Sequence, residues 1–138
     1  MKKVELLAPA GNMEALKAAV NAGCDAVYLG LKSFSARAFA GNFSHEEFIE
    51  AIHYCHTRNV KIYCTINTML YETEIENAKK EVDFLYENDC DAILIQDLGL
   101  FHYVRTCYPD MPVHCYTQMH IHNLKGVEFM KNQGVEIV

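Results

Sequence analysis

Chemistry in this 138-residue chain concentrates where apolar runs give way to polar or glycine residues. Pro9-Ala10-Gly11-Asn12, Gly30, Asn67-Thr68, Gln96-Asp97 and Gln118 each close such a run. If the runs are parallel strands, these residues fall at strand carboxyl ends, the ligand side of a βα sheet. Glycines and uncharged amides there suit a pocket for a small polar or anionic ligand. The helix following Gly11 also offers free backbone N–H groups to an anion. The loop 33–42 is longer than a routine βα connection and carries Arg37, a guanidinium able to clamp a carboxylate or phosphate. Plainer roles compete: Asn12 and Asp97 are placed to cap helices, and Arg37 can simply be solvated. Asn67 and Gln118 have no equally cheap structural role.

Other constellations carry less. The six cysteines, at positions 24, 55, 64, 90, 107 and 115, are never closer than eight positions. That spacing excludes the tight pairs of zinc ribbons and redox motifs. Cys24 and Cys90 sit just before Asp25 and Asp91, and Cys64 and Cys115 lie within apolar strands. A reduced cysteine there behaves as a small hydrophobe. His120 and His122 form a lone pair that faces one side only in an extended segment, so no metal site is expected. No serine–histidine or cysteine–histidine spacing singles out a nucleophile, and the catalytic residues are unknown.

Strand and helix signals alternate along the chain and would position these residues. Strands are expected at Val4 to Ala8, Ala26 to Gly30, Val60 to Ile66, Ala92 to Gln96 and Val113 to Thr117, with a sixth beginning at Val135. Asn12, Ser44, Thr73 and Asn123 are expected helix caps, Ser44 with Glu47 and Thr73 with Glu76 as capping boxes. Phe43 and Phe48 are spaced as a hydrophobic staple. Gly23 and Gly134 stand where a left-handed residue ends a helix. On strand three, Lys61, Tyr63, Thr65 and Asn67 share one face; on strand five, His114, Tyr116 and Gln118 do. The opposite faces, Val60-Ile62-Cys64-Ile66 and Val113-Cys115-Thr117, are the natural helix-packing sides.

The segments Cys24-Asp25-Ala26-Val27 and Cys90-Asp91-Ala92-Ile93 are copies at an offset of 66 positions, or two βα units. Such a repeat favours a cyclic barrel. The expected fold is α/β: a partial TIM-like (β/α) barrel of about five units plus the start of a sixth strand. A flavodoxin-like doubly wound sheet is the alternative. Residues 1–138 then form one N-terminal segment of a barrel domain. Its open strand edges lead us to expect self-association.

No run reaches membrane-spanning length and the amino terminus does not read as a signal peptide, so a soluble cytoplasmic protein is expected. The net charge of −6 argues against gripping nucleic acid through phosphates alone.

Glu5-Leu6-Leu7-Ala8-Pro9-Ala10-Gly11-Asn12, Ala22-Gly23-Cys24-Asp25-Ala26-Val27-Tyr28-Leu29-Gly30 and Phe34-Ser35-Ala36-Arg37 closely resemble the opening of the peptidase U32, or collagenase-like protease, family. Thr65-Ile66-Asn67-Thr68 and Asp91 to Asp97 resemble its third and fourth strand ends. The match looks nearest to the branch that hydroxylates a ribosomal RNA cytidine. The resemblance implies a TIM-like barrel with Pro9, Gly11, Gly30, Arg37, Asn67, Gln96, Asp97 and Gln118 lining a pocket for a small anionic or aromatic substrate. In the intact protein it implies oxygen-independent hydroxylation of an RNA base or aromatic precursor with a 4Fe-4S cluster, and RNA as a partner. The family's signature cysteines are absent from these 138 residues, so this segment alone is expected to hold no cofactor and to be inactive. Peptide hydrolysis, as the family label says, and a non-catalytic half-barrel that binds a partner are the alternatives.

Overall fold

A computed structural model describes residues 4–32 and 42–138. The loop expected around Arg37 lies outside the described residues, apart from Asn42. Eleven elements follow in order among the described residues. They are β1 (Leu7–Pro9), α1 (Met13–Asn21), β2 (Ala26–Gly30), α2 (His45–His56), β3 (Lys61–Ile66), α3 (Ile75–Glu87), β4 (Ala92–Ile95), α4 (Leu98–Cys107), β5 (Val113–Cys115), a 3-10 turn (Thr117–Met119) and α5 (Leu124–Asn132).

All four strand pairings are parallel, and the sheet runs β1-β2-β3-β4-β5. A doubly wound sheet reverses its strand order at a switch point. The unbroken order here removes the flavodoxin-like alternative and is that of a βα barrel. Beyond α5, the stretch from Val135 joins the same progression. Glu136 N donates to Val113 O at 2.9 Å and Cys115 N to Ile137 O at 2.8 Å, the first pairings of a sixth strand.

Strand alternation divides the core in two. Val27, Leu29, Ile62, Cys64, Ile66, Ile93, Ile95 and Val113 face the helices and join Leu16, Phe48, Ile52, Val82, Leu85, Leu100 and Val104 in one large cluster. The other face holds a smaller cluster of Ala26, Tyr63 and Ala92, with Tyr28 and Leu94 packed against it. Each buried aliphatic side chain in the large cluster contributes roughly 1.5–3 kcal/mol relative to exposure. The helix side therefore carries most of the stability, leaving the inner face able to hold polar groups.

Caps set the helix starts. Asn12 Oδ1 accepts from Ala15 N at 2.8 Å and Asn123 Oδ1 from Gly126 N at 2.9 Å. Ser44 and Glu47 exchange two bonds of 3.2 Å as a capping box, and the expected staple residues Phe43 and Phe48 are both buried. The Thr73–Glu76 box does not form. The N-cap of α3 is Glu74, in helical geometry and without a side-chain cap bond. Glu74 Oε2 instead accepts from Tyr71 N at 2.8 Å, closing a turn over residues 71–74, two positions before the span that a Thr73–Glu76 box needs. Left-handed residues follow four helices: Gly23 and Gly134, as expected, and also Asn59 and Asp89, at φ 58° and 63°. Short polar side chains tolerate that region, so Asn and Asp serve where the sequence lacks glycine.

The 66-residue repeat has a physical basis at the amino end of the strands. Asp25 N donates to Leu6 O at 2.8 Å while Leu6 N donates to Asp25 Oδ2 at 2.8 Å. Asp91 repeats the arrangement on Ile62, at 3.0 and 2.8 Å. Each aspartate clips the start of its own strand to the preceding neighbour. His56 Nε2 adds a 2.7 Å contact to Asp91.

Candidate site at the carboxyl ends of the strands

The register places Gly30, Thr65, Leu94 and His114 side by side in one row of the inner face. Asn67, Gln96 and Tyr116 come two positions further along the same chains, which is the next step outward on that face. Pro9 stands beside Tyr28, ending β1. The carboxyl end of the sheet thus brings together Pro9, Gly30, Asn67 and Gln96 from four adjacent strands. Gly11 follows β1 in an exposed bend before α1, and Gly30 is buried with its carbonyl accepting from Phe43 N at 2.9 Å. Arg37 lies outside the described residues.

The amides differ in exposure. Asn67 is 6 % exposed, Gln96 is half-buried and Gln118 is exposed. Gln118 does not continue strand five as the alternation implied. The strand ends at Cys115 and Gln118 lies in the 3-10 turn. His120 closes that turn in left-handed geometry at φ 56°. The chain therefore bends where a strand reading would extend it.

Asp97 fulfils the capping role its position suggested and does more. Oδ1 accepts from Leu100 N at 2.9 Å, and Oδ2 accepts from Leu70 N at 3.2 Å in the β3–α3 connection. Also at this end, a cavity of about 440 Å³ opens beside Leu31, Lys32, Phe43 and His45.

Beneath the rim lies a polar relay that sequence reasoning only half located. It put Tyr63 and His114 on the inner face but could not pair them with remote carboxylates. Tyr63 OH donates to Glu5 Oε2 at 2.8 Å, and its ring meets His114 edge-on at 4.8 Å between centroids. His114, 5 % exposed, approaches Glu136 Oε2 with Nε2 at 3.1 Å. Burial, then the Glu5 carboxylate, pushes the Tyr63 hydroxyl well above the ordinary phenol range. It remains a donor at neutral pH and ties the amino-terminal segment to the middle of the sheet.

The thiols are equally fixed. Burial raises Cys55 to about 11 and Cys90 to about 12, and drives Cys64 upward as well. None of these three is an activated nucleophile at neutral pH. Among the described residues no three His, Cys, Asp or Glu side chains form a group able to hold a metal ion. They do not fit the four-cysteine cluster that the resemblance implied. Among the described residues no helix is long and apolar enough to cross a membrane.

Comparison with known proteins agrees with this geometry. The chain is 38 % identical over 138 residues to an uncharacterized protease of Methanocaldococcus jannaschii, covering all of this chain and 33 % of that one. It is 38 % identical over 137 residues to tRNA hydroxylation protein P of Helicobacter pylori, covering 99 % of this chain and 32 % of the relative. The 23S rRNA 5-hydroxycytidine C2501 synthase of Escherichia coli is 33 % identical over 132 residues, 96 % of this chain and 20 % of the relative. The chain thus spans about a third or less of these relatives' lengths. Among solved structures, a U32 peptidase superposes with a TM-score of 0.73 at 11 % identity, over 99 % of this chain and 60 % of that one. Bacillus subtilis HMG-CoA lyase superposes at 0.76 and 13 % identity, over 99 % and 53 %. At such identities the likeness concerns fold alone, and it supports the partial TIM-like barrel. The family profile of peptidase family U32 matches residues 11–138, from the bend after β1 to the sixth-strand pairing, and the chain belongs to that family.

Proposed function

We propose that this chain forms the amino-terminal wall of a U32 barrel whose natural gene product hydroxylates a base in RNA. The observation that carries the reading is the 38 % identity to tRNA hydroxylation protein P of Helicobacter pylori, which runs across the whole strand-end rim. The rim suits the task. Neutral amides at Asn67, Gln96 and Gln118 can donate to and accept from the edge of a nucleobase or another small aromatic or anionic substrate. The net charge of −6 leaves phosphate binding to other surfaces.

The described residues offer no ligand set for a 4Fe-4S cluster, so this reading assigns the segment a substrate wall and places any such cluster outside it. Action on RNA would place the protein in the cytoplasm. On this reading Arg37 holds an anionic group and the amides orient the substrate.

The test is expression of the natural gene product, under anaerobic conditions, in a host lacking its own RNA hydroxylation proteins. Digests of separated tRNA and rRNA are then analysed by mass spectrometry. A nucleoside heavier by one oxygen, in either pool, is the expected result. Unmodified RNA in both pools, together with hydrolysis of peptides by the same preparation, would overturn the proposal in favour of a peptidase.

A further inference from the structure

Asp97 is engaged more fully than a helix cap requires. Capping α4 needs one oxygen, and Oδ1 supplies it to Leu100 N. The second oxygen reaches out of the helix to Leu70 N, 27 positions earlier in the chain. Space for the carboxylate is kept by Gly99, where a Cβ would come within 3.2 Å of Asp97 Oδ1.

Leu70 sits in the connection between β3 and α3, which starts with the buried Asn67 of the rim. The same connection exposes Met69 at 76 % and Tyr71 at 78 %. Its far end is braced locally, by Tyr71 N on Glu74 Oε2. Leu70, the residue before that brace and three positions after Asn67, is tied across to the next strand's helix through Asp97. A bond between a carboxylate and a backbone N–H is among the stronger hydrogen bonds, which suits it to holding a connection in one place.

We propose that Asp97 is a positioning residue whose second oxygen latches the β3–α3 connection to the start of α4, fixing the segment from Asn67 to Tyr71 for substrate. The functional half of this inference rests on the RNA-hydroxylation reading above; the latch itself does not. A released connection has to be ordered each time substrate binds, and that cost enters binding and not the chemical step. Loss of the latch therefore raises KM and leaves kcat close to its original value.

Asp97→Asn separates the two roles. Asparagine caps helices as well as aspartate does, but its amide turns an N–H toward the Leu70 N–H, so only one of the two bonds can survive. Asp97→Ser, with a capping hydroxyl and no second acceptor atom, is the companion variant. Amide hydrogen exchange at residues 68–72 and steady-state hydroxylation of RNA are measured on the natural gene product. Both variants are expected to exchange faster at Leu70, by about tenfold, and to show a KM raised by a similar factor with kcat within about twofold. Unchanged exchange at Leu70 in both variants overturns the latch. Faster exchange with unchanged KM overturns its role toward substrate, as does a fall in kcat alone. If the unaltered protein modifies no RNA, the function proposed above fails, while the exchange result still decides the latch.

Discussion

Asp91 and Asp97 stand at opposite ends of β4 and both spend their carboxylates on backbone N–H groups, yet they hold different things. Asp91 joins two strands, taking Ile62 N within a regular parallel pair, and its counterpart Asp25 does the same to Leu6. Asp97 joins a helix to a connection, taking Leu100 N and Leu70 N. The amino end of the sheet is thus pinned by a repeated clip on rigid elements. At the carboxyl end Asp97 instead latches a segment without regular structure. Barrel proteins place stability at the first end and binding at the second, and β4 carries the same residue type at both ends.

Among single substitutions at these positions, the costliest is expected at Asp91. Asp91→Ala strands the part-buried Ile62 N–H and removes the His56 partner, and should cost about 2–3 kcal/mol in urea unfolding. Amide exchange at Leu70 should be unaltered, because the clip and the latch share no group. A coupled response at both ends would show that they are not separate devices.

Alkaline pH attacks the same end through Cys90. Its thiol donates to Ala92 O at 3.2 Å, and burial holds its pKa near 12, against 9.0 ordinarily. The folded chain keeps a proton that the unfolded chain releases, so the stability this thiol confers is whole below pH 9. It is lost progressively as pH rises from 9 toward 12. Thermal melts across that range should fall less steeply for Cys90→Ala than for the unaltered chain, after allowance for the cavity. Parallel slopes would contradict the assignment.

Smaller effects sharpen the contrast at the carboxyl end. Ser44→Ala removes one half of a formed capping box and should cost about 1 kcal/mol. Thr73→Ala should change stability by less than about 0.5 kcal/mol, because no box forms there. Equal losses at the two positions would mean that Thr73 caps α3 after all.

Much of the fold is legible in the sequence. Strand alternation separates Tyr63 and His114 from Ile62 and Cys64 because successive side chains point to opposite faces, even though both faces of β3 are buried. Ser44 and Glu47 were readable because a capping box is local. Thr73 and Glu76 have the same spacing but lose to a neighbouring turn made by Tyr71 and Glu74, a competition between local bonds that spacing alone does not rank. Gln118 failed as a strand residue for a related reason: a 3-10 turn begins at Thr117, and nothing in the apolar pattern marks it. The 66-residue repeat was visible as a copy, but its meaning was not, since Asp25 and Asp91 act on backbone atoms of another strand. Glu5, Glu136 and Leu70 were out of reach because their partners lie 58, 22 and 27 positions away.

On the proposed function the two ends divide the work, and this division gives substrate to the carboxyl-end amides and stability to the amino-end clips. It is tested most directly by comparing the double variant Gln96→Ala/Gln118→Ala with Asp91→Asn in the natural gene product, measuring modified nucleosides in RNA and Tm on the same preparations. We expect the double variant to lose most modification with Tm within a few degrees of the unaltered protein, and Asp91→Asn to lower Tm while still modifying RNA below that temperature. Full modification by the double variant, or its loss in Asp91→Asn without a change in Tm, would show that the two ends do not divide substrate and stability in this way.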